Sequence, residues 1–262
     1  AYAAWLLTFH PGTNVLMISR GQTEAFSLLD KVRFILKNLP PDWQSGLSPD
    51  SRGEIGIPAR DSKVIALPST EDAGRSETAS VVIQDEADFH EYHAANYAAV
   101  KPTVDAGGQM IMGSTSNKRQ MGSLFKELYR SSPDNGWTKV FIPWHARPMR
   151  DEKWYEGVSA TVPSTELEGM TPEQYMEQEY PGDELEALSP PRAQSIFSRE
   201  MIEGMAEDCT EPIRKVGAAS IYQEPRAGRR YVAGTDVALG VEMDYSVTVV
   251  VDVNSGYVVA DL

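Results

Sequence analysis

The residues of this chain best suited to chemistry are two adjacent carboxylates, Asp85 and Glu86, which follow the apolar run Val81-Val82-Ile83 and Gln84. An apolar run ending in acidic residues reads as a buried β-strand that delivers both at its C-terminal end, the edge at which open parallel sheets bind ligands. There the pair can divide labour. One carboxylate holds Mg²⁺ on a nucleotide's phosphates, and the other polarises the attacking water. A plain strand end is the alternative meaning of the same string, and Gln84 is a polar residue in a strand expected to be buried.

Three further sets of residues carry possible chemistry. Gly113-Ser114-Thr115-Ser116-Asn117 directly follows a second apolar strand, Gln109 to Met112. Small polar side chains at that strand end could sense a γ-phosphate; alternatively they are turn residues. Arg75, in Asp72-Ala73-Gly74-Arg75-Ser76, lies on the loop before the acidic strand. It is either an ordinary surface arginine or one that stabilises transition-state charge, in cis or across a subunit interface. Asp236, in Gly234-Thr235-Asp236-Val237-Ala238, stands among apolar neighbours. A carboxylate buried there needs a metal or partners, so Asp236 is a candidate metal ligand. Asp244 is an additional acidic ligand or only the start of the next strand. His90 and His93 flank Glu91-Tyr92 without a third ligand and are expected on a helix surface. The five tryptophans are expected to pack rather than to stack on bases.

The elements that position these residues follow from periodicity. Asn14 to Ser19 is a short apolar strand. The helix after it carries Ala25, Leu28, Leu29, Val32, Ile35, Leu36 and Leu39 at three- and four-residue steps. Ile55 with Ile57, and Val64 with Ile65 and Leu67, mark short strands. A helix from about His90 to Val100 joins the acidic strand to Gln109–Met112, making a βαβ unit whose strands should be parallel and adjacent. A helix at Ser123–Tyr129 and a strand at Thr138–Ile142 follow. Residues 146–211 are rich in Glu and Pro, with one helix near Ser198–Ala206. From Arg229 the pattern is antiparallel β, with strands at Tyr231–Val237, Ser246–Val253 and Gly256–Leu262 and a hairpin turn at Asn254-Ser255-Gly256.

Bulk properties exclude several classes. The formal charge is −14, which opposes nucleic-acid contact only where it resides. Residues 151–211 hold 16 acidic and 3 basic side chains, whereas residues 1–150 hold 16 of each. The acidic stretch reads as a solvated linker or surface. No run of about 18 apolar residues suggests a membrane span, and no secretory signal opens the chain. The single cysteine, Cys209, permits no internal disulfide and fits a reducing compartment.

The order of these features resembles the large terminase subunit of tailed phages. Asn14–Ser19 with Gln22-Thr23-Glu24-Ala25 looks like the strand and helix after its phosphate loop. Leu67 to His90 looks like the approach to and passage through Walker B, and Gly107 to Asn117 like its third, coupling motif. Gln178-Glu179-Tyr180-Pro181 resembles its interdomain region. Gly234-Thr235-Asp236 with Asp244-Tyr245-Ser246 resembles the opening of its nuclease domain. The resemblance implies an α/β fold: a P-loop NTPase-like (ASCE), mostly parallel sheet, truncated at its N-terminus, over residues 1–145. An acidic linker or subdomain over 146–228 and the first antiparallel strands of an RNase H-like nuclease over 229–262 would follow.

It implies ATP-driven packaging of double-stranded DNA, with endonuclease cutting of the concatemer. Asp85 would hold Mg²⁺ and Glu86 would be the catalytic carboxylate. Arg75 would be a trans-acting finger, although Ser76 stands where a glycine is expected. Ser114, Thr115 and Asn117 would couple hydrolysis to movement. Asp236, with Asp244, would hold Mg²⁺ or Mn²⁺ for the nuclease. Implied partners are DNA, a portal protein, a small terminase subunit and further copies in a ring, in the host cytoplasm and transiently at the procapsid portal. A G-x-x-x-x-G-K-[ST] phosphate loop does not occur in these residues. Its expected position lies just before Ala1, and the later nuclease ligands are expected after Leu262. The 262 residues alone are therefore expected to be inactive. A helicase-like ATPase and a non-catalytic interaction module are the alternatives.

Overall fold

The computed structural model describes residues 1–75, 77–105, 107–120, 122–167, 169–191, 199–237 and 246–262. The chain forms two compact units, Ala1–Ala193 and Gln194–Leu262. The acidic stretch therefore does not form the separate segment expected over 146–228; residues up to Ala193 belong with the first sheet. Its helices contribute buried side chains, Met176 and Gln178 among them.

The first unit is built on a five-stranded sheet. Its strands are β1 (Asn14–Ser19), β2 (Glu54–Ile57), β3 (Ser62–Pro68), β4 (Val81–Asp85) and β5 (Gln109–Gly113). They lie in the order β2-β3-β1-β4-β5. β1, β3, β4 and β5 are mutually parallel, and β2 runs antiparallel at one edge. The expected βαβ unit is present: β4 and β5 are adjacent, joined through α3 (His93–Asp105).

Both faces of this sheet are covered, which is why its strands read as continuous apolar runs. On one face α1 (Tyr2–Phe9) and α2 (Gln22–Lys37) bury Leu7, Ala25, Leu29 and Val32 against Val15, Met17, Val64 and Val81. On the other, Val100 and Val104 of α3 pack on Leu16, Ile18 and Val82. Each fully buried Leu, Val or Ile contributes about 1.5–3 kcal/mol. Strand alternation then places Asp85 on the α2 face beside Ser19, and Gln84 on the α3 face.

The C-terminal part of this unit is helical: α4 (Leu124–Arg130), α5 (Glu152–Thr161), α6 (Ser164–Leu167), α7 (Pro172–Glu179) and α8 (Glu184–Leu188). Thr171 and Gln174 close a reciprocal capping box at the start of α7. Trp144 and Trp154 stack with centroids 6.1 Å apart, in the packing role expected of them. The strand expected at Thr138–Ile142 is absent. The segment lines a groove of about 730 Å³ along β5 but joins no ladder, and Val140 and Ile142 are 72% and 74% exposed. Alternating branched residues favour an extended chain, but a strand also needs a hydrogen-bonded neighbour.

Among the described residues of the second unit the first element is α9 (Arg199–Glu207), close to the helix expected at Ser198–Ala206. Its sheet contains β6 (Arg214–Val216), β7 (Ala219–Ile221), β8 (Tyr231–Asp236), β9 (Val247–Asp252) and β10 (Val258–Asp261), ordered β6-β7-β10-β9-β8 and antiparallel at every pairing. The β9–β10 hairpin turns at Gly256, whose φ of +76° suits glycine.

Candidate active site at the end of β4

β4 terminates at Asp85, and Glu86 breaks the strand with a left-handed backbone, φ +53° and ψ +44°. The two carboxylates therefore leave the strand in different directions. Both are half-buried and line a cleft of about 650 Å³ within the first unit, with Ser19, Arg20, Thr23, Lys31, Thr115 and Tyr175 among its other walls. Arg20 and Lys31 place positive charge in this cleft; no sequence pattern had singled them out. Arg20 lies 3.5 Å from Glu24, one helical turn on.

The loop after β5 closes on the corner from the neighbouring strand. Gly113 is in register with Asp85. The Ser114 hydroxyl donates to Glu86 Oε2 at 3.4 Å and accepts the Asp88 backbone N–H at 3.1 Å. The Thr115 backbone also bonds to the Glu86 carboxylate. Burial raises the Glu86 pKa above the usual glutamate value, the Asp85 charge adds to this, and the Thr115 and Ser114 donors oppose it. Such a carboxylate is oriented by its donors and more basic than a free one.

Beneath the corner lies a buried ion pair that sequence reasoning missed. Asp88 Oδ2 accepts the Asn117 N–H at 2.6 Å and lies 3.2 Å from Lys126 Nζ, and Asp88 Oδ1 accepts the Ser123 hydroxyl. Lys126 also donates to the Asn117 carbonyl at 2.6 Å and to that of Gln120. Asn117 is thus held by main-chain bonds, while its side-chain Oδ1 accepts the Arg119 N–H at 3.1 Å and its Nδ2 reaches the Asp88 carbonyl at 3.5 Å. Lys118, equally buried, bonds through its N–H to Gln178 of α7 and through Nζ to the Ser189 carbonyl after α8.

The helix-surface expectation for His90 and His93 is overturned. Each is 6% exposed. His90 Nε2 lies 2.8 Å from the Asp85 carbonyl oxygen, and His93 Nε2 lies 3.0 Å from Gln84 Oε1. Gln84 was the available signal: a polar side chain inside a buried strand requires a buried partner.

Two of the other expected residues are placed elsewhere. Arg75 does not line the cleft; it is solvent-exposed and paired with Asp72 at 3.0 Å. Asp236 is exposed rather than buried, because β8 is the edge strand of a sheet whose residues there face solvent. Asp244 lies outside the described residues. Among the described residues no three His, Cys, Asp or Glu side chains gather as a metal site, and no helix is long and apolar enough to cross a membrane.

The chain matches no protein-family model and no curated protein. Solved structures do match. The large terminase of a thermophilic bacteriophage aligns at a TM-score of 0.52 and 10% identity, over 98% of this chain and 56% of that one. The fold is that of a phage large terminase. The same thermophilic phage protein in complex with ATP-γ-S gives 0.50 at 11% identity, covering 98% and 55%. The ATPase domain of the Thermus phage P74-26 large terminase gives 0.44 at 18% identity, covering 69% and 80%. The present chain spans just over half the length of the thermophilic bacteriophage terminase.

Proposed function

We propose that residues 1–262 belong to the large terminase subunit of a tailed phage or prophage, which hydrolyses ATP to drive double-stranded DNA into a capsid. The observation that carries this reading is the corner itself. Two carboxylates diverge at the end of β4, and the second is bonded by the Ser114–Thr115 loop of the adjacent strand. Glu86 is the proposed base that polarises the attacking water. Asp85 would hold Mg²⁺, which supplies charge neutralisation on the phosphates when bound. The chemistry of the site fits that ion: the Ser19 hydroxyl, in register beside Asp85, is buried and unpartnered, and both groups are oxygen ligands. Ser114, Thr115 and Asn117 are the proposed coupling residues. Arg75, exposed on its loop, remains available to reach a neighbouring subunit's nucleotide in a ring.

Residues 1–262 contain no phosphate loop, so hydrolysis is proposed for the whole protein and not for these residues alone. The antiparallel unit supports a terminase over a helicase-like ATPase, which would continue into a second parallel sheet. We assign to residues 229–262 the start of an RNase H-like nuclease that cuts the concatemer, with Asp236 and Asp244 as Mg²⁺ or Mn²⁺ ligands. Portal protein, small terminase subunit and sister subunits are the proposed partners, in the host cytoplasm and at the procapsid portal.

The test is Mg²⁺-dependent ATP hydrolysis by the whole protein. Glu86→Gln should lower kcat by about 10²–10⁴-fold while ATP still binds. An unchanged rate would remove Glu86 from the mechanism. For the second activity, Asp236→Ala should abolish metal-dependent cleavage of plasmid DNA without affecting hydrolysis.

A further inference from the structure

The turn at Glu86 is a strained place to put a catalytic carboxylate. A left-handed backbone is unfavourable for a residue other than glycine, so the surroundings must hold it. Part of the restraint is local, since the Phe89 N–H donates to the Glu86 carbonyl at 2.9 Å. Part comes from the Ser114 hydroxyl on the Asp88 N–H. The remainder comes from the α3 side of the sheet, from two imidazoles that hydrolysis itself does not use.

His90 reaches back five residues to donate from Nε2 to the Asp85 carbonyl, and His93, in the first turn of α3, donates from Nε2 to Gln84 Oε1. Oxygens of these kinds accept, so each ring carries its proton on Nε2. The rings meet edge to face, 5.6 Å apart. One turn further along α3, Asn96 accepts from the Ser69 hydroxyl at 2.6 Å and donates to the Thr70 carbonyl. The start of α3 therefore grips the ends of both β3 and β4. An apolar residue at Gln84, on the buried α3 face, would have needed no polar partner. Burying an amide is costly unless it is hydrogen-bonded. A polar pairing here gives up stability and gains a fixed strand end.

We propose that His90 and His93 are positioning residues for the Asp85–Glu86 pair. His90 anchors the Asp85 carbonyl directly, and His93 anchors the preceding residue through its side chain. Together they keep Asp85 directed to the cleft beside Ser19 while Glu86 turns to Ser114 and Thr115. The proposal rests on the assignment of ATP hydrolysis to these two carboxylates.

The experiment pairs steady-state hydrolysis by the whole protein with backbone amide exchange across residues 85–90, on wild type, Glu86→Gln, His90→Phe and His90→Gln. Phenylalanine keeps a buried ring and deletes the donor; glutamine restores an N–H. His90→Phe should lower kcat about tenfold to hundredfold with KM for ATP changed by no more than about twofold, and His90→Gln should recover most of the loss. Exchange at residues 85–90 should speed up in His90→Phe and not in His90→Gln. If Glu86→Gln is inactive while His90→Phe turns over at the wild-type rate, the positioning role is overturned. If Glu86→Gln hydrolyses normally, the assignment of hydrolysis fails instead, and amide exchange alone decides: unchanged exchange in His90→Phe overturns the anchoring, and faster exchange rescued by glutamine upholds it.

Discussion

Lys126 is only 1% exposed, and its ammonium is held by Asp88 and by the carbonyls of Asn117 and Gln120. Burial lowers the pKa of Lys126, and the Asp88 charge opposes that shift. Removing one partner of such a pair leaves an uncompensated buried charge. Lys126→Met should therefore cost about 3–5 kcal/mol in urea unfolding, and adding Asp88→Asn should recover much of it. A loss below about 1 kcal/mol would mean that the pair does not hold the loop to the corner. His93 gives a second test at this scale. Burial, with a smaller contribution from His90, depresses its pKa from 6.5 to about 4. The folded state thus favours the neutral ring. The stabilisation is complete above the unfolded value and is lost as pH falls from about 6.5 towards 4. It is worth about 3 kcal/mol at the lower end. Melting of the wild type should show that loss across the window, and His93→Gln should flatten it. Asp85 and Glu86 were legible in the sequence because their signal is local. Asp88, Lys126 and His93 were not, because their partners lie up to 38 residues away and only the fold brings them together.

Elements were legible wherever burial on both faces enforced an apolar run. β1, β4 and β5 fall where the sequence places them, within a residue, and α2 ends at Lys37, shortly before Pro40-Pro41. Thr138–Ile142 and Asp236 mark the limit of that logic. Residue type reports the preference for extended backbone, but whether a strand finds a neighbour, or has its faces covered, depends on chain elsewhere. The loop before β4 depends on a single backbone position. Gly74 has φ +79°, and a Cβ there would lie 2.5 Å from Val100 Cγ1 and 2.9 Å from Leu16 Cδ2. Gly74→Ala is strained in its backbone and also collides with α3 and β1. It should destabilise the first unit by more than about 1 kcal/mol, against the gain of about 0.4–1 kcal/mol seen where alanine fits. A calorimetric melt measures this, and a stabilised variant would contradict the geometry.

At the scale of the whole molecule, the acidic stretch is where composition misled. Sixteen acidic side chains in residues 151–211 suggested a solvated linker, yet residues up to Ala193 are built into the first unit. The ties are specific. Tyr129 donates to Glu184 at 2.6 Å, Lys139 pairs with the same carboxylate at 3.1 Å, and Arg130 donates to the Leu188 carbonyl at 3.0 Å. Lys118 reaches both Gln178 and Ser189 from the loop that also bonds Glu86. The negative charge of these helices is therefore not all solvated: Glu177 is buried, and Glu166 and Glu179 line the cleft that holds Asp85 and Glu86. Residues 1–193 should accordingly unfold in a single cooperative transition when expressed alone. Residues 1–145 should not: they would leave Lys118 without its acceptors and strip the cover from the cleft that Tyr175 and Gln178 line. Equilibrium denaturation of the two truncations decides between them. If residues 1–145 match the stability of residues 1–193, the acidic helices are an appendage, and the Lys118 ties to Gln178 and Ser189 contribute nothing to the first unit.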